Sequence, residues 1–74
     1  MRVDFDSVVG EDTPVQIQAV VVTWRDEGTY RDGPLMATVE GLEAFYEDGR
    51  RVYDTTYNDH YPHWSETAIE RAIG

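Results

Sequence analysis

The segment Val15-Gln16-Ile17-Gln18-Ala19-Val20-Val21-Val22-Thr23-Trp24 alternates apolar and polar residues through its first half and is apolar on both faces through its second. Alternation marks a strand with one face on a core and one in water; its loss marks a strand whose two faces both need cover. The Gln16 and Gln18 end therefore faces solvent, whereas Val20, Val22 and Trp24 demand something laid over the opposite face. That demand falls on 74 residues with no Cys. A chain of this size buries only about 60–65% of the surface its unfolded form exposes, and it has no disulfide framework or thiolate zinc site to compensate. Stability must come from packing or from a partner, within one small acidic domain spanning 1–74.

Val3 and Phe5 alternate with Arg2, Asp4 and Asp6, which predicts a half-buried strand over about residues 2 to 9. The turn residues Gly10-Glu11-Asp12-Thr13-Pro14 end it. Arg25 to Pro34, with Gly28, Gly33 and Pro34 as breakers, reads as a flexible loop. Residues 35–47 support two readings. Leu35, Val39, Leu42 and Tyr46 recur with the spacing of an amphipathic helix, with Glu40, Glu43 and Glu47 on the other side, although Gly41 would cost that helix about 1 kcal/mol relative to Ala. Asp48-Gly49 instead signals a hairpin that sets Glu47 against Arg50 and Phe45 against Val52. Both remain open, with the hairpin preferred. Arg50 to Tyr57 reads as a strand either way, Asn58 to Pro62 as a break, and Ser65 as the N-cap of a C-terminal helix of about nine residues, too short to stand without docking. Its apolar stripe is Trp64, Ala68, Ile69, Ala72 and Ile73. The expected fold is α+β: a small antiparallel sheet of three to four strands with a docked C-terminal helix.

Fifteen Asp and Glu against six Arg and no Lys set a formal net charge of −9. With 41% apolar and 12% aromatic residues the chain is nonetheless too hydrophobic for a disordered acidic tail. Such a surface repels phosphate backbones and anionic lipid, so no direct nucleic-acid or membrane binding is expected, and a basic protein surface is the electrostatic complement. The longest apolar run, Ala19 to Val22, is far short of the roughly 18 residues that span a bilayer. Met1 to Asp6 lacks the basic and apolar regions of a secretion signal. A cytoplasmic location is expected, in the host cytoplasm if the chain is phage-encoded.

Chemistry is sparse. His60-Tyr61-Pro62-His63, beside Asp59 and Glu66, offers two imidazoles and carboxylates as a zinc or iron ligand set, but Pro62 is expected to keep the pair off a shared helical face and no third ligand is specified. Ser7 and Ser65 lack a nucleophile motif, there is no phosphate-binding glycine loop, and with this many acids some carboxylate falls near any histidine by chance. No cofactor and no enzymatic activity are expected. Tyr53, Tyr57, Tyr61 and Trp64 cluster among polar residues as interface aromatics do; Tyr53 and Trp64 are expected to fill the core, and Tyr57 and Tyr61 to reach the surface.

The acids carry the most information because they run along the whole chain instead of a tail. On a strand, Asp4 and Asp6 project from one face roughly 6.7 Å apart, and rows of carboxylates on a rigid surface can imitate a phosphate backbone. The expected partner-binding residues are Asp4, Asp6, Glu40, Glu43, Glu47, Asp48, Asp54, Tyr57, Asp59 and Tyr61. In size, charge and lack of catalytic signature the chain is similar in kind to small phage-encoded inhibitors of host nucleases and defence complexes. That likeness implies a non-enzymatic inhibitor, of anti-CRISPR or anti-restriction type, occupying a basic nucleic-acid-binding surface. The alternatives are a structural or assembly module of a virion or complex, pairing with another subunit or as a homodimer through a sheet edge or aromatic patch; a metal-binding domain at the His60/His63 loop; and an acidic surface that serves only solubility or high salt.

Overall fold

In a computed structural model that describes residues 1–25 and 34–74, the alternating segments form three strands and the C-terminal part of the chain forms one helix. β1 (Arg2–Val9), β2 (Thr13–Arg25) and β3 (Leu35–Tyr46) make an antiparallel meander in the order β1-β2-β3, and α1 (Asp54–Ile73) packs on one face. The α+β expectation holds, and 35–47 is a strand up to Tyr46. Of the loop expected between Arg25 and Pro34, residues 26–33 lie outside the described residues.

Register explains the core. Phe5, Ile17 and Ala44 are direct neighbours across the sheet, as are Val3, Ala19 and Leu42, and all six are buried toward the helix. Between Val20 and Val21 the pairing shifts: Gly41 faces Val20 but Val39 faces Val21, so Glu40 is an extra residue in a β-bulge. The bulge switches which parity of β3 points inward. Ala37 and Val39 pack against the core on one side of it, Leu42 and Ala44 on the other, whereas a regular ladder would have turned Thr38 and Glu40 inward.

After Tyr46 the chain makes the tight turn that Asp48-Gly49 predicts, but one residue longer. The Tyr46 N–H donates to the Arg50 carbonyl (2.8 Å) and the Gly49 N–H to the Tyr46 carbonyl (3.0 Å), which leaves Glu47, Asp48 and Gly49 as the loop. Gly49 has φ +91°, a left-handed conformation that Gly adopts without steric cost. Phe45 is therefore opposite Arg51, not Val52.

The strand expected over Arg50 to Tyr57 is corrected. A single bridge at Arg51 and one further bond, Val52 N–H to the Ala44 carbonyl (2.7 Å), hold the return segment. Asp54 then takes φ +61° and redirects the chain. The helix begins there, eleven residues before Ser65, so Ser65 is no N-cap and Asn58 to Pro62 is no break. Pro62 sits inside the helix, leaving the Asn58 carbonyl without its usual donor. What carries the helix through is tertiary: Tyr57, Tyr61, Trp64, Ala68 and Ala72, three or four residues apart, face the sheet as one stripe.

Trp64 is fully buried, as expected, and its Nε1–H donates to Ser7 Oγ at 3.0 Å, which satisfies the one polar atom of the ring. The other aromatics change places. Tyr53 is 62% exposed, while Tyr57 and Tyr61 are partly buried against the core. Tyr57 lies 5.5 Å from Tyr61 and 6.2 Å from Trp64 between ring centroids, and its hydroxyl donates to the Leu42 carbonyl at 2.7 Å. Among the described residues, no helix is long and apolar enough to cross a membrane.

Candidate protein-interaction surface

The sheet face away from the helix has two contrasting ends. Toward the turns it is polar and acidic: Asp4, Gln18 and Glu43 form one row across the three strands, and Asp6, Gln16 and Phe45 the next. A groove of about 570 Å³ opens here, with Val8, Pro14 and Phe45 on the same face as Gln16, and with Asp6 and Glu47 among its lining groups. At the adjoining end of the sheet the β1–β2 turn carries Glu11 and Asp12, and the loop after β3 carries Glu47 and Asp48. Each of the twelve carboxylates in the described residues is exposed.

Cations partly offset these acids. Arg2 Nε lies 3.1 Å from Asp4 Oδ1, Arg51 Nη2 3.4 Å from Glu43 Oε1, and Arg50 Nε 2.6 Å from Asp48 Oδ2. All three pairs are exposed and so contribute little to stability; a stronger external cation can exchange into them. The Arg50 backbone N–H also donates to Asp48 Oδ1 at 3.0 Å, and that bond, then the Arg50 side chain, lowers the Asp48 pKa. Burial raises the Tyr57 pKa, helped by Tyr61 and Glu43 and opposed by Arg51.

Guanidinium groups already rest on aromatic rings in this region. Arg50 lies 5.1 Å from the Tyr46 centroid, and Arg51 5.9 Å from Phe45 and 5.8 Å from Tyr53. Aromatic faces beside carboxylates suit an arginine, whose stem packs on apolar surface while its planar head pairs with an acid.

Of the expected partner-binding residues, the structure brings Asp4, Asp6 and Glu43 onto one face and places Glu47 and Asp48 at its end. Asp54 shares a smaller hollow of about 250 Å³ with Glu43, Arg51, Tyr53 and Tyr57. Glu40 stands apart at the bulge. Asp59 lies on the exposed side of the helix, with Glu66 and Glu70. Tyr61 packs on the core. Sequence reasoning missed Val8, Pro14 and Phe45 in the groove. The available signal was that Val8 and Phe45 are apolar residues on the parity of their strands that otherwise carries Asp4, Asp6 and Glu43.

His60 and His63 both lie on α1, contrary to the expectation that Pro62 would separate them. His60 Nδ1 donates to the Thr56 carbonyl at 2.9 Å and the ring stacks 5.3 Å from Trp64. Among the described residues, no group of three or more metal-ligating side chains comes together. Compared with known protein families, with curated proteins and with solved structures, the chain has no match in any of the three.

Proposed function

We propose that this chain is a non-enzymatic, acidic protein-binding domain that occupies a basic surface of a nucleic-acid-binding protein and so acts as an inhibitor of the anti-defence kind. The observation that supports it is the groove with Asp6 and Glu47 in its lining and Val8, Pro14 and Phe45 beside them, continuous with the Asp4–Gln18–Glu43 row. It offers a basic side chain carboxylates for its head and apolar surface for its stem. Sheet rigidity fixes the spacing of those carboxylates in advance, which lowers the entropy cost of binding a charged channel.

The test is capture from a bacterial lysate on the immobilised chain at low and high salt, followed by elution with duplex nucleic acid. The expected result is salt-sensitive capture of a nucleic-acid-binding protein that the duplex displaces, because exposed charges are screened beyond about 8–10 Å. Asp6→Lys with Glu47→Lys should weaken capture far more than Glu70→Lys. Equal, small effects from all three would reduce the acidity to a solubility device, and a captured partner that nucleic acid cannot displace would remove the mimicry mechanism.

A further inference from the structure

The other end of the open face is a different surface. Trp24 pairs with Met36, Val22 with Thr38 and Val20 with Gly41, so an apolar strip runs along β2 and β3. Trp24 is 45% exposed, Val20 44% and Met36 40%. Beside it is a notch of about 260 Å³ whose lining includes Val20, Gly41 and Leu42, with Arg2 and Glu43. The notch exists because Gly41 has no side chain; a Cβ built there meets nothing within 4 Å. Its volume exceeds the roughly 150 Å³ that holds a benzene ring.

We infer that this strip is a homodimer interface in which Trp24 of each copy enters the Gly41 notch of the other. Charge selects the occupant. None of the chain's fifteen carboxylates falls within 13–25 or 34–39, and the one acid in the notch, Glu43, is paired with Arg51 and stands beside Arg2, so a second chain of charge −9 meets less uncompensated acid here than on the acidic end of the same face. Symmetry selects it as well. Trp24 and Val20 are four residues apart on one strand, roughly 13 Å, so a two-fold axis through Val22 places each indole over the partner's Val20 and Gly41 at once. Knob and hole lie on the same patch at matched spacing, which closes a dimer and leaves nothing to propagate. The notch shares no lining residue with the acidic groove and only Gln18 and Glu43 with the row beside it, so the two proposals are tested by different residues, Trp24 and Gly41 here and Asp6 and Glu47 there.

Sedimentation velocity on the full chain over a concentration series, at low and high salt, tests this. The expected result is a reversible dimer that tightens with salt as repulsion between the two chains is screened, the opposite sign to the lysate capture above. Gly41→Leu, whose Cβ meets nothing within 4 Å in the monomer, puts a side chain into the notch and should weaken dimerisation at least tenfold with the melting temperature maintained; Trp24→Glu should do the same. Dimerisation should also protect Trp24 from acrylamide quenching. A monomer at every concentration and salt, or a dimer that Gly41→Leu and Trp24→Glu leave intact, would overturn the inference. Circular dichroism of each variant shows whether a lost dimer reflects a lost fold, and retained dimerisation in a folded Gly41→Leu is decisive on its own.

Discussion

Between Arg2 and Val21 the sheet has three strands and a helix across one face; from Val22 to Arg25, with Leu35 to Thr38 opposite, two strands continue with Thr23, Trp24, Leu35 and Met36 exposed. The same β2 runs through both regions, under the same pairing rules and with the same kind of residue. What differs is cover. In the first region Ile17 and Val21 are sealed by α1 and its neighbours, and the molecule has its core. In the second the backbone ladder to β3 is satisfied while Trp24, Leu35 and Met36 remain exposed, and a two-stranded ribbon is marginal in water by itself. The extension is thus ordered by what it grows from. Its apolar residues are free to serve contacts outside the chain.

The largest effect should separate the two tryptophans. Trp64→Ala is expected to cost about 3–5 kcal/mol, near the whole stability of a small domain, whereas Trp24→Ala in the monomer should stay within about 0.5 kcal/mol. Urea denaturation at a concentration below dimerisation measures both, and equal losses would break the distinction between covered and bare sheet. Next, Pro62→Ala restores a donor to the Asn58 carbonyl and should stabilise by up to about 3 kcal/mol, seen as a higher urea midpoint with unchanged slope. No gain would mean that docking on the sheet, not helix continuity, sets the stability of the covered region.

Tyr57→Phe removes the bond to the Leu42 carbonyl and should cost about 1 kcal/mol. It also tests linkage. Because burial raises the Tyr57 pKa, folding favours the neutral phenol; that contribution is present below the unfolded value near 10 and is lost as pH rises through the higher folded value. Stability of the parent should therefore fall above about pH 10 more steeply than that of Tyr57→Phe, and parallel curves would remove Tyr57 from the account. The smallest effect belongs to the far end of the sheet. Asp48 has a lowered pKa, so its contribution is present above the unfolded carboxylate range and lost as pH falls through the folded value. Being fully exposed, Asp48→Asn should leave the melting temperature nearly unchanged at neutral pH, and a large drop would show that the turn holds more of the fold than its exposure suggests.

Alternation made β1 and β2 legible, because a period of two has one cause. β3 was ambiguous for a physical reason: its bulge at Glu40 inserts a three-residue step between Val39 and Leu42, and a strand that steps two, two, three, two, two reproduces the helical recurrence of Leu35, Val39, Leu42 and Tyr46. The helix was read short because Thr55, Thr56 and Pro62 argue locally against it, and only its stripe of Tyr57, Tyr61 and Trp64 on the sheet outweighs them. On the acidic face, Asp4 and Asp6 could be placed together by the parity of β1, whereas Glu43 shared the ambiguity of β3. The groove beside them could not, since it depends on Val8 facing Pro14 and Phe45 facing Gln16 across strands whose register is visible only in the fold.

Ser7 and Trp64, joined by a hydrogen bond, are 57 residues apart in the chain. On the ribosome, at about 5–20 residues per second, roughly 3 to 11 seconds separate the synthesis of the acceptor from that of its donor. The three strands are consecutive in the chain and can pair early, but the face bearing Val3, Phe5, Ile17 and Val21 emerges with no lid and stays wet until α1 follows. For that interval the nascent chain displays a sticky apolar sheet to chaperones and to neighbouring nascent copies, and its dense negative charge is then what keeps those copies apart.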